Sequence, residues 1–161
     1  MKRQPFMMGL VILGITSLIV SALIVVSSSW RVAINVTPSL PGHVYLIDLK
    51  DKTPVTEGLI AFKARAMQPI PDGVTVIKVV RGVSGDLVTV TDRRVEVNGR
   101  LVADAKPTSR TGEPLVPIAT QTIPNGRVFV YAPHPDSFDS RYAVPGLIEE
   151  SQIIGRAYEL F

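Results

Sequence analysis

The sequence has no cysteine, which excludes a disulfide framework, a thiol nucleophile, an iron–sulfur cluster and any thiolate zinc site. Its only histidines, His43 and His134, are too few and too far apart in the chain for a His-rich metal centre. No cofactor and no metal are expected. Aromatic residues are scarce, at 6% against 46% hydrophobic residues overall, so any core must be built mainly from aliphatic side chains. Neither sign of charge dominates. Seventeen Lys and Arg against 14 Asp and Glu leave a formal +3, too little to indicate nucleic acid as a partner. Gly82-x-x-Gly85 lacks the Gly-Lys-Ser/Thr of a phosphate loop, and no His-Glu-x-x-His occurs.

The most localised absence is of charge near the N-terminus. No ionisable side chain occurs from Gln4 to Trp30, and most residues there are Leu, Ile, Val, Met, Ala or Gly. A run of about 20 apolar residues crosses the roughly 30 Å hydrocarbon layer as a helix. Residues 6–30 are therefore expected to be a transmembrane anchor behind a short N-terminal segment, residues 1–5. Lys2 and Arg3 place that segment in the cytoplasm by the positive-inside rule, and Trp30 closes the run as an interfacial residue would. Residues 31–161 then lie across the membrane. The competing reading is a cleaved secretory signal with its cleavage site at Ser27-Ser28-Ser29, although signal h-regions are normally shorter, about 7–15 residues.

Beyond Arg31 the pattern becomes that of β structure. Short Val- and Ile-rich runs recur between Pro and Gly at His43–Leu49, Gly58–Ala64, Val74–Val80, Leu87–Thr91, Arg94–Val97, Arg100–Val102, Arg127–Ala132 and Ile153–Glu159. Asn98-Gly99 suits a type I′ hairpin turn. Residues 103–125 hold four prolines and many polar side chains and read as a long loop or arm. The expected fold is mainly β: one twisted, mostly antiparallel domain behind a single N-terminal transmembrane helix.

Three segments carry chemistry. In Asn35-Val36-Thr37-Pro38-Ser39-Leu40-Pro41-Gly42-His43-Val44-Tyr45, two prolines restrict the backbone around Ser39. The segment reads equally as ordinary turn chemistry. In Val76-Ile77-Lys78-Val79-Val80, a lysine interrupts an apolar strand on the face of residues 76 and 80. Burial there lowers its pKa, and reaching neutrality takes roughly 3 pKa units, or about 4 kcal/mol. The alternative is an edge-strand lysine that snorkels to solvent. In Ser137-Phe138-Asp139-Ser140-Arg141, Asp139 and Arg141 point to one side of an extended backbone and can pair.

In order, these segments resemble the signal peptidase family of Ser/Lys proteases. That family has an anchor, a serine box, a lysine box reading roughly Ile-Lys-Arg-x-x-Gly-x-x-Gly-Asp, and a box ending Asp-Ser-Arg. Ile77-Lys78, Gly82 and Gly85-Asp86 keep the second spacing, and Asp139-Ser140-Arg141 matches the last box. Ser84 stands where the lysine box usually has Pro. Ser39-Leu40-Pro41 is one residue shorter than the usual Ser-Met-x-Pro. Asn35, Thr37, Ser39, Pro41-Gly42 and Tyr45, together with His134-Pro135, look like the TraF-type conjugative-transfer peptidases.

The resemblance implies Ser39 as nucleophile, Lys78 as general base and acid, and the Ser39 N–H with the Thr37 hydroxyl as oxyanion-hole donors. It also implies that Ser137 orients the lysine and that Asp139 and Arg141 brace the last box. A Ser-His-Asp triad from His134 or His43 with Asp139 is the rival arrangement, but nothing in the sequence places either ring against Ser39. Ser39 follows Trp30 by nine residues, a reach of at most roughly 32 Å, so the site should stand near the bilayer.

The expected partners are the lipid bilayer, a pilin or other membrane-associated precursor peptide bound in extended form, and further conjugation or secretion-system components. The expected location is the bacterial inner membrane, single-pass, with the catalytic domain in the periplasm. The implied activity is that of a serine endopeptidase that trims a pilin precursor or joins its ends into a ring. A general leader peptidase is the nearest alternative, and a non-catalytic envelope scaffold is the other.

Overall fold

The structure, a computed structural model, describes residues 4–161, with the side chains of residues 4–7, 9, 10, 22, 23 and 26 outside the description. Lys2 and Arg3, on which the expected orientation rests, lie outside the described residues. Helix α1 spans Gln4–Ser29. Among the described residues no helix is long and apolar enough to cross a membrane. The helix expected from the sequence is thus present, whereas its crossing of a membrane is not established by the structure. Ser27, Ser28 and Ser29 each turn their hydroxyl back onto a helical carbonyl, of Ile24 or Val25, so the candidate cleavage site is wound into the helix.

Eleven strands follow in two antiparallel sheets. The larger has the order β1 (Trp30–Ile34), β2 (Val44–Asp48), β11 (Ile153–Glu159), β3 (Leu59–Lys63), β4 (Thr75–Gly82), β9 (Arg127–Tyr131), β10 (Ile148–Glu149). The smaller runs β7 (Arg100–Asp104), β6 (Arg94–Val97), β5 (Leu87–Thr91), β8 (Gln121–Thr122). The mainly β, antiparallel character expected from the sequence is what the structure has. All eight predicted runs are strands, with ends that differ by at most two residues.

Three strands were not expected. β1 begins at Trp30, directly after the helix, because no turn residue separates it from the apolar run. Trp30 is the first residue of that strand and packs its ring 6.3 Å from Tyr158. β8 and β10 have two residues each, too few to show alternation. The segment expected as loop from 103 to 125 is correspondingly more ordered. β7 runs to Asp104, β8 lies within it, and Thr108 bridges Pro114.

Turn chemistry fixes the hairpins of the small sheet. Asn98 and Gly99 have φ of 52° and 73°, as a type I′ turn requires. Asp92 and Arg93, at 47° and 71°, make the same kind of turn between β5 and β6. At the β11 bulge a Cβ on Gly155 would lie 2.1 Å from the Asp48 carbonyl oxygen, so only glycine fits.

The core is built from four clusters spread over the two sheets. Ile60, Phe62, Val80, Val128 and Val130 fill one face of the large sheet. Phe129 of β9 joins Val88, Val95 and Val97 of the small one. Leu40, Tyr45 and Ala132 pack with Ile77 and Val79 on the other face. The central strands are covered on both sides, and this double cover removes the Lys78 side chain from water.

Candidate active site

Lys78 lies in the middle of β4, opposite Ile60 of β3, on the face it shares with Val76 and Val80. It is 4% exposed. Burial pushes its amine down from 10.5 to about 8; the Asp139 carboxylate pulls the other way, and the Arg141 guanidinium adds to the lowering. An amine there is a competent base near neutral pH. The edge-strand alternative does not apply, since β4 is flanked by β3 and β9.

The amine donates a hydrogen bond to Ser137 Oγ at 2.7 Å. Ser137 is held by a tight turn after β9, its N–H bonded to the His134 carbonyl. The segment that follows is sewn back onto β9. Ser140 Oγ accepts the Val130 N–H and donates to the Gly146 carbonyl. Asp139 accepts the Ala132 N–H at 3.0 Å, and Arg141 Nη2 donates to the Ala132 carbonyl at 2.7 Å. Arg141 Nε and Nη2 grip the two Asp139 oxygens at 2.8 and 2.9 Å, and both residues are 2% exposed or less. Removing one member of such a buried pair leaves an uncompensated charge.

Ser39 is half-buried in the loop between β1 and β2. Asn35 organises that loop. Its Nδ2 donates to the carbonyls of Leu40 and Gly42, and its Oδ1 accepts from both the N–H and the hydroxyl of Thr37. The Thr37 proton is thereby committed to Asn35, so the 2.9 Å contact between the Thr37 and Ser39 hydroxyls has Ser39 as donor. The Ser39 N–H has no hydrogen-bond partner among the described residues. The sequence drew attention to Asn35 only as part of a motif. That one side chain uses its whole hydrogen-bonding capacity to close the serine loop could not be read from spacing.

Ser39 and Lys78 share no hydrogen bond. They line the same cavity of about 500 Å³, whose walls are β1 with the serine loop on one side, and β4 with Ser137 and Phe138 on the other. The serine proton faces Thr37 and the lysine amine faces Ser137. A rotation of the serine side chain away from Thr37 is required before the two can exchange a proton.

The rival triad is not assembled. Asp139 is fully engaged by Arg141 and Ala132, and His134 Nδ1 accepts the N–H of Asp136 at 3.1 Å. His43 is exposed and does not line the cavity. Among the described residues no three His, Asp or Glu side chains gather as a metal site.

Over residues 4–161 the chain matches the family described as Signal peptidase, peptidase S26. It is 30% identical over 169 residues to a probable conjugal transfer protein TraF of Sinorhizobium fredii, covering 92% of this chain and 88% of that protein. It is 25% identical over 166 residues to the conjugal transfer protein TraF of Agrobacterium fabrum, covering 92% and 93%. Among solved structures, a signal peptidase I from Enterococcus faecalis aligns with a TM-score of 0.44 at 25% identity, over 66% of this chain and 97% of that one.

Proposed function

Because the chain belongs to the signal peptidase family, peptidase S26, we propose that it is a membrane-anchored serine endopeptidase. In this proposal Ser39 attacks, and Lys78 takes and returns the proton, in processing a conjugative pilin precursor at the outer face of the inner membrane. The observation that carries the proposal is the Lys78 amine. It is enclosed by β strands, lowered to about 8, oriented by Ser137 and aimed into the cavity that Ser39 lines.

The steps follow from these groups. Substrate draws the Ser39 hydroxyl from Thr37 to the neutral amine of Lys78, which accepts its proton as the oxygen attacks the scissile carbonyl. The Ser39 N–H meets the resulting oxyanion, and the Thr37 hydroxyl becomes a second donor by turning its proton from Asn35 Oδ1 to the oxyanion; each donor of this kind is worth about 100- to 1,000-fold in rate. The lysine then passes its proton to the departing amine. The acyl group leaves Ser39 to water in trimming, or to an amine of the substrate in ring closure.

The anchor belongs to the same proposal. Twenty-six helical residues extend about 39 Å, none of them ionisable, and the helix leads without a linker into β1, nine residues before Ser39. A precursor with its own apolar segment would present its cleavage site at that depth. The likeness to conjugal transfer proteins supports a pilin substrate over exported proteins at large.

The test is cleavage of a conjugative pilin precursor, with a general secretory precursor as comparison, by the full chain in detergent and by its Ser39→Ala and Lys78→Ala variants. Cleavage that both substitutions abolish, and that favours the pilin, is expected. Equal cleavage by the variants would rule out the dyad, and equal use of both precursors would indicate a general leader peptidase. Mass spectrometry of the product separates trimming from ring closure, because a ring is one water lighter.

A further inference from the structure

Beyond Ser137 and Phe138 lies a second cavity of about 790 Å³, larger than the one that holds Ser39 and Lys78. The two share Arg110, Asp136, Ser137 and Phe138, and no residue of β1 or of the serine loop lines the second. They are two chambers of one trough, the first against the end of β1 and the serine loop, the second under the arm of residues 106–116. The size of the second is within the range of ordinary ligand sites, about 300–1,000 Å³.

The arm is tied in place. Arg93 donates to the carbonyls of Ala105, Lys106 and Leu115, and the Tyr142 hydroxyl accepts the Lys106 N–H. Phe138 and Tyr142 stack with ring centroids 5.9 Å apart and form an aromatic wall beside Leu115 and Val116. Of the charged groups around the chamber, Lys106 pairs with Asp136 and holds its carboxyl below the ordinary value. Glu113 lies on the arm. Arg110 lines both chambers and makes no ion pair among the described residues, although its charge also helps to lower the Asp136 carboxyl.

Taking the peptidase proposal as premise, we infer that the second chamber binds the part of the precursor that lies beyond the scissile bond from its membrane segment. That part enters as an extended peptide, packs an apolar side chain on Phe138 and Tyr142, and pairs a carboxylate with Arg110. The direction follows from the chambers. A membrane-held precursor reaches Ser39 from the β1 side, so what passes Ser137 is the segment on the other side of the bond. A guanidinium at the crossing that no carboxylate grips within ion-pair distance, beside an apolar wall, selects a carboxylate next to a hydrophobic residue, in competition with Asp136. The carboxylate is supplied either by an acidic side chain or by a free peptide terminus.

Fluorogenic peptides test this with the full chain in detergent. One set ends just after the scissile bond. The others extend past it with Ala-Phe-Glu or Ala-Phe-Gln, each as free acid and as amide. Peptides with a carboxylate should be preferred over the Gln amide by tenfold or more in kcat/KM, mainly through KM, and the side-chain and terminal forms identify the source. Arg110→Gln should bring that ratio close to one. Val116→Trp, at a 65% exposed position on the chamber, should handicap the extended peptides relative to the short one by a similar factor. Ser39-dependent cleavage of the short peptide with the acid-to-amide ratio unchanged by Arg110→Gln overturns the second chamber alone. Absence of Ser39-dependent cleavage of every peptide overturns the peptidase proposal with it.

Discussion

Replacing Lys78 by methionine should alter how the stability of the β domain depends on pH. The amine falls from 10.5 in an open chain to about 8 in the fold, and that gap of about 2.5 pKa units corresponds to about 3.4 kcal/mol. Below pH 8 the folded and unfolded chains both hold the proton, and the folded state bears the whole cost of a desolvated ammonium. Between 8 and 10.5 only the unfolded chain still holds it, so stability rises with pH; above 10.5 the cost is gone. From pH 7 to pH 10 the wild type should therefore gain about 2.5 kcal/mol relative to Lys78→Met. Methionine keeps the length and loses the charge. It also leaves Ser137 Oγ without its donor, at about 1–3 kcal/mol, but that loss is the same at both pH values and drops out of the difference. Tyr45, whose hydroxyl burial pushes upward, is common to both proteins and also cancels. Urea unfolding of the full chains in micelles, followed by the β signal in circular dichroism at pH 7 and pH 10, measures the four stabilities. Parallel behaviour of the two proteins would refute the claim that β4 strips water from this amine.

The rate of peptide cleavage should fall about tenfold per pH unit below 8 and level off above it, because only the neutral amine can accept the serine proton; a profile flat from pH 6 to 9 in kcat/KM contradicts Lys78 as base. Asp139→Ala should destabilise the fold by about 3–5 kcal/mol by leaving Arg141 buried and alone, read as a lower urea midpoint. Asn35→Ala should lower kcat at least tenfold while moving the urea midpoint little, since it loosens an exposed loop around Ser39 and leaves the core intact; an unchanged kcat would show that the loop holds its shape without it. Gly155→Ala should destabilise the domain severely, because the new methyl meets backbone at Asp48, and an unaltered midpoint would mean that the β11 bulge can move aside.

Much of the fold could be read from alternation and punctuation. Runs of Val and Ile between Pro and Gly gave eight strands, and Asn98-Gly99 gave a hairpin, because strand and turn preferences act over a few residues. The misses share a cause. β8 and β10 are strands only because a partner lies alongside, and β1 is hidden by the apolar helix it continues. The arm from 103 to 125 looked loose since its order comes from distant groups, Arg93 and Tyr142, that sequence spacing cannot connect to it.

The site divides in the same way. The residue types and their order along the chain were set by the sequence: a serine between prolines, a lysine in an apolar strand, an Asp-Ser-Arg segment after a strand. Tertiary structure alone decided that Lys78 shares no bond with Ser39 at rest, that Asn35 holds the Thr37 proton, and that a second chamber opens past Phe138. Chain order records local preference, whereas desolvation of an amine and the choice of a hydrogen-bond partner depend on what β3, β9 and the returning loops bring within a few ångströms of it.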